Sequence, residues 1–148
     1  MNVVGIDLGT TNSALAWIDL AKKPRKINVL PVQQLIAPGE IGRRPTLPSL
    51  LYLPGEHELP AGAIALPWNT DALLAVGELA RIQGALVPGR LIASAKSWLC
   101  HPGVDRQAAI LPWAAPQEVE RRSPIDVSAA YLAHLAAAWR AEIGRAHV

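Results

Sequence analysis

Between positions 7 and 12 the chain places an acid, a glycine, two threonines and an asparagine in Asp7-Leu8-Gly9-Thr10-Thr11-Asn12. A carboxylate can hold a hydrated cation, and a turn rich in hydroxyl and backbone N–H donors can hold an anion, so the combination suits a metal-bound phosphate. Asp7 interrupts an apolar run, Val3-Val4-Gly5-Ile6-Asp7-Leu8, of the kind expected for a strand covered on at least one face. An ionised side chain is costly there without a partner, so the carboxylate is expected to face a cleft. Gly9 lets the backbone turn, and Ser13-Ala14-Leu15-Ala16-Trp17-Ile18 resumes the apolar pattern. These residues leave two readings open. One is a hairpin whose tip holds phosphate; the other is an ordinary hairpin whose threonines cap the turn and whose Asp7 bonds to backbone N–H groups. A Walker loop is excluded because no Gly-Lys-Ser/Thr follows, and there is no G-x-G-x-x-G fingerprint.

Lys96 is the second candidate. Set among Ile92, Ala93, Ala95 and Leu99, it is either a surface residue of an amphipathic helix or a charge aimed into a cleft, and residue type alone favours the surface. Other chemistry-bearing types are isolated. Cys100 has no partner for an internal disulfide, which fits a reducing compartment, and His101 has no second ligand at zinc-like spacing. His134, alone on an alanine-rich stretch, reads as structural or solvated. Trp17, Trp68, Trp98, Trp113 and Trp139 are scattered and read as core or interface anchors, not as a stacking platform.

The elements that must position these residues fall into three blocks. From residue 2 to about 53 the pattern predicts strands at Val3 to Leu8, Ser13 to Asp19, Lys26 to Val32 and Ser49 to Leu53, with a loop from Pro38 to Pro48. Prolines interrupt the block from about 54 to 116–120 and leave room for helices only from Gly77 to Val87 and around Ile92 to Leu99. The last block opens with Ser123-Pro124, an N-cap followed by proline at the first helical position, and Asp126 adds a favourable charge in the first turn. Leu132, Leu135, Trp139 and Ile143 are then expected to mark one apolar face.

At 148 residues the chain is long enough to bury a core, and its net charge of +2 argues for neither nucleic-acid nor membrane partners. The one basic run, Lys22-Lys23-Pro24-Arg25-Lys26, is expected to be a solvated loop. No leader-like segment stands before Val3 and no apolar stretch is long enough to span a bilayer, so cytoplasm is the expected location.

Gly5-Ile6-Asp7-Leu8-Gly9-Thr10-Thr11-Asn12-Ser13 resembles the first phosphate motif of the 70-kilodalton heat shock protein (DnaK-type) chaperones, members of the actin-like ATPase superfamily. Three later stretches resemble family segments in the same order. They are Thr46-Leu47-Pro48-Ser49-Leu50-Leu51-Tyr52, Val76-Gly77-Glu78-Leu79-Ala80, and Arg90-Leu91-Ile92-Ala93-Ser94-Ala95-Lys96-Ser97-Trp98-Leu99. The resemblance implies an α/β fold: part of an actin-like (ribonuclease H-like) ATPase domain, an N-terminal lobe with a mixed β-sheet and flanking helices. Residues 1–53 and 117–148 would form the core subdomain, and 54–116 a smaller inserted one. It further implies ATP/ADP and Mg²⁺ as ligands. Asp7 would hold Mg²⁺ through water, Gly9, Thr10, Thr11 and Asn12 would cradle the phosphates, and Lys96 would act on the γ-phosphate and the attacking water. In the family, hydrolysis controls the grip on unfolded polypeptide with the help of co-chaperones, which connects it to protein folding and the stress response.

The chain departs from the family in a long stretch from Pro54 to Leu74, a short one between Lys96 and Ser123, and Ser97 where many members carry Arg. A divergent bacterial-type member is expected. The family's second phosphate loop, adenosine motif and peptide-binding β-domain have no counterpart here, so an N-terminal portion unable to hydrolyse ATP by itself is expected. Two other readings stay open: a carbohydrate kinase of the same superfamily, which usually continues Ser-x-Lys after the opening motif, and a non-catalytic interaction module.

Overall fold

The computed structural model describes residues 1–143. It contains β1 (Asn2–Leu8), β2 (Asn12–Asp19), β3 (Asn28–Val29), β4 (Val32–Ala37), β5 (Glu40–Arg44), β6 (Leu47–Pro48), β7 (Leu50–Tyr52) and β8 (Ala75–Val76). Helix α1 (Glu78–Leu86) follows, then β9 (Leu91–Ala93), α2 (Ala95–Leu99) and α3 (Pro124–Glu142).

The expected opening hairpin is present, with β1 and β2 antiparallel from Asn2↔Asp19 to Leu8↔Ser13. The other edge of β2 is shared, β6 pairing at Ser13↔Leu47 and β3 at Ala16↔Val29. A second sheet has the order β8-β7-β9, with Leu51 opposite Val76 on one side and Ile92 on the other.

The expected strand from Lys26 to Val32 is broken: only Asn28–Val29 pairs with β2, and Val32 begins a new strand. The expected loop from Pro38 to Pro48 is in fact the far arm of a β4–β5 hairpin turning at Pro38-Gly39, followed by β6. Around Ile92 to Leu99, a strand to Ala93 precedes a short helix. The reason is long-range pairing: β9 adds to β7, an attraction that local helix propensity cannot oppose over three residues.

Leu15, Leu30, Val32, Leu47, Leu51, Ile92, Leu111, Val127, Tyr131 and Leu135 are all buried in one cluster, so strands from β2 to β9 share a core with α3. A second cluster of Leu35, Tyr52, Ala75, Leu79 and Ala80 lies under α1. Helix α3 starts as expected, the Ser123 hydroxyl accepting from Asp126 N–H at 3.0 Å with Pro124 in the first turn. Its buried face runs through Val127, Tyr131, His134, Leu135 and Ala138, while Leu132 is exposed. The apolar stripe expected through Leu132 is therefore rotated. The helix buries small residues and a polar one, and these carry little weight in a pattern of large apolar side chains. Trp139 meets Trp17 edge-on at 5.3 Å, fastening α3 to β2. At its far end Arg43 on β5 donates to Glu142 at 3.0 Å.

Candidate functional site

Ser49 holds the turn between β1 and β2. Its N–H donates to the Thr11 carbonyl at 2.8 Å, and its hydroxyl donates to the Gly9 carbonyl, also at 2.8 Å. The Ser13 and Ser49 hydroxyl oxygens are 2.9 Å apart. A hydroxyl has one proton, and that of Ser49 is committed to Gly9, so Ser13 is the donor between the two serines. Two turn carbonyls are thus occupied by Ser49 and withdrawn from any ligand at the tip. Among the described residues, the N–H groups of Thr10 and Thr11 donate to no backbone carbonyl, and both threonines are exposed with Asn12. The rim of the turn is donor-rich, which suits an anion. Gly9 is required sterically, since a Cβ there would stand 2.0 Å from the Asn12 carbonyl oxygen.

The segment 46–50 also connects to α1. Gly77 has φ +92° and donates its N–H to the Leu50 carbonyl at 3.0 Å. A Cβ at Gly77 would lie 2.6 Å from both Gln34 Oε1 and Leu47 Cδ1. Gln34, fully buried, accepts from Glu78 N–H at 3.0 Å and donates to the Thr46 carbonyl at 3.0 Å. It thereby caps α1 from a distant strand, supplying the acceptor that Gly77 lacks. Glu78 bonds Arg81, whose guanidinium holds its carboxyl below the ordinary value.

Strand pairing brings the segment before Lys96 beside the one that holds the turn: Ala93 is opposite Leu50, after which the chain turns at Ser94, φ +56°, into α2, which packs against α3. Lys96 is exposed on α2 and, among the described residues, forms no ion pair.

Asp7 differs from expectation. It is exposed, as are Val3, Val4 and Ile6, while Leu8 at the end of β1 is half-buried against the core. Water solvates the carboxylate, so the cost that called for a buried partner does not arise. Asp7 lines a shallow groove of about 330 Å³ with Gly5, Ile6, Ala14, Leu15, Ala16 and Val29, in which it is the single charge. Among the described residues, no group of three or more His, Cys, Asp or Glu could hold a metal ion. The site therefore offers a carboxylate and a donor-rich turn on one side only. That set fits the outer water shell of a phosphate-bound cation, not a direct metal cage.

The roles of Gln34, Ser13 and Ser49 were not foreseen. A glutamine inside the apolar run Val32-Gln33-Gln34-Leu35-Ile36 was the available signal for the first. Of the two readings of His134, structural or solvated, the first holds: 6% exposed, it has Nε2 2.9 Å from the Gln33 carbonyl, and burial lowers its pKa. Cys100 is free and exposed. No described helix is long and apolar enough to cross a membrane. Comparison of the chain with protein-family models, with curated proteins and with solved structures found no match.

Proposed function

We propose that this chain is one wall of a nucleotide-binding cleft, the first part of an ATPase of the 70-kilodalton heat shock type within the actin-like superfamily. The observation that carries the reading is convergence. Four segments that resemble that family are far apart in sequence, yet Ser49 bonds Gly9 and Thr11, Leu50 bonds Gly77, and Leu50 pairs with Ala93, three residues before Lys96.

In this reading the Thr10 and Thr11 N–H and hydroxyl groups hold the β- and γ-phosphates of ATP. Asp7 holds Mg²⁺ through water, and Lys96 stabilises charge on the transferring phosphoryl group. The opposite wall comes from elsewhere, so the isolated chain does not hydrolyse ATP. Grip on unfolded polypeptide, co-chaperones and a role in folding belong to the complete protein. The free Cys100 supports a cytoplasmic setting.

The test is an amide NMR titration of the chain with Mg-ATP. Weak binding is expected, with shifts concentrated at Gly9–Asn12, Thr46–Ser49 and Ser94–Lys96. Saturating nucleotide without shifts in these segments overturns the reading, and micromolar affinity overturns the claim that only one wall is present.

A further inference from the structure

Away from the turn, a groove of about 720 Å³ runs between α3 and the segment 66–74. Its deepest lining is Leu51, Val76 and Val127, with Ala130, Ala133 and Ala137 along the α3 side and Trp68 and Leu74 on the other. From Asp126 to Ala137, both in the lining, the helix rises about 16 Å, so the groove is a trough several residues long. Trp68 is held in place by His134, which it meets edge-on at 5.3 Å and whose ring is tied to the Gln33 carbonyl.

Three charged groups line the trough, Asp71, Asp126 and Arg122. Asp71 and Asp126 are exposed and, among the described residues, take part in no ion pair. Arg122 has its Nε buried without a hydrogen-bond partner, and its nearest carboxylate, Glu120, is 3.6 Å from the guanidinium and outside the lining. That Nε is out of reach of an incoming group and the guanidinium is paired with Glu120, so Asp71 and Asp126 are the charges left for a ligand.

We propose that this trough docks a polypeptide segment of basic and apolar composition. A bulky apolar side chain lies against Trp68 beside the α3 alanines, and lysine or arginine side chains face Asp71 and Asp126. The volume is that of a ligand site, while the length and the small residues along the α3 side suit a chain laid along the helix. Two carboxylates against one guanidinium set the sign. That sign opposes the net charge of +2, so general electrostatics would draw an acidic segment and only the local site draws a basic one.

The experiment titrates the full chain with a fluorescein-labelled peptide of leucines and lysines and with its leucine–glutamate counterpart, following anisotropy and amide shifts. The lysine peptide is expected to bind with shifts confined to α3 and residues 66–74, and the glutamate peptide to bind about tenfold more weakly or less. Ala133→Trp, at an exposed helix position, narrows the trough from the α3 side and should weaken binding by about tenfold. Asp71→Asn with Asp126→Asn, both at exposed sites, should remove the preference for the lysine peptide without disturbing the circular dichroism. No binding, shifts spread elsewhere, equal binding of the two peptides, or indifference to the folded variants would each overturn the proposal.

Discussion

Ser49 and Gly9, 40 positions apart, are joined by a hydrogen bond of 2.8 Å that closes the β1–β2 turn from outside the hairpin. The same hydroxyl accepts from Ser13, which is fully buried. Ser49→Ala leaves a carbonyl and a buried hydroxyl without partners, so a loss of about 1–3 kcal/mol is expected in urea denaturation. An unchanged midpoint would show that the turn holds itself.

Gly77→Ala should be as damaging. The backbone there has φ +92°, and the added Cβ would collide with Gln34 Oε1 and Leu47 Cδ1, displacing the side chain that caps α1. A loss of about 1–3 kcal/mol and faster amide exchange at the start of α1 are expected. Gln34→Leu, which removes the cap without straining Gly77, should reproduce the exchange effect, and normal protection in that variant would refute the capping role.

His134 makes stability depend on pH in a definite direction. Burial holds its pKa below the usual 6.5 in the folded chain, so above 6.5 neither state is protonated and the stabilisation is complete. As pH falls through 6.5 the unfolded chain takes up a proton that the folded chain refuses, and stability declines until the lowered folded pKa is reached. His134→Gln keeps an N–H donor for the Gln33 carbonyl but cannot titrate. Its denaturation midpoint should therefore fall less steeply between neutral pH and about pH 5 than that of the parent, whatever its absolute stability. Parallel curves would remove His134 from the pH response.

Lys96 is exposed and unpaired among the described residues, so Lys96→Ala should leave stability within about 0.5 kcal/mol of the parent. Nucleotide binding should also persist, because the proposed role concerns the transition state. In the full-length ATPase that the proposed function supposes, hydrolysis should be abolished. Retained turnover would exclude Lys96 from the site.

The parts of the fold that were legible in the sequence rest on local signals. Ser123-Pro124 and Asp126 mark a helix start by contacts within one turn, and Gly9 between two apolar runs marks a hairpin. The β4–β5 hairpin was hidden because β5 is largely exposed and carries Arg43 and Arg44, so its partner across Pro38-Gly39, not its own composition, makes it a strand. Of the candidate site, residue identities were legible but their supports were not. Ser49 acts on Gly9, Gln34 acts on Glu78 and Ala93 reaches Leu50, and each pair is separated by tens of residues. The expected cover over β1 failed for the same reason: whether a strand is covered depends on distant elements, and here Val3, Val4, Ile6 and Asp7 are all exposed.

That bare strand has a further consequence. β1 has one hydrogen-bonded neighbour, and Val3, Val4 and Ile6 are open to water beside the exposed carboxylate of Asp7. Strands left in this condition attract other strands. Any polypeptide that shields these side chains from solvent also arrives next to Asp7 and carries its own charged groups with it. Protection against aggregation and the electrostatic setting of Asp7 are consequently settled by the same encounter, and neither can be tuned without the other.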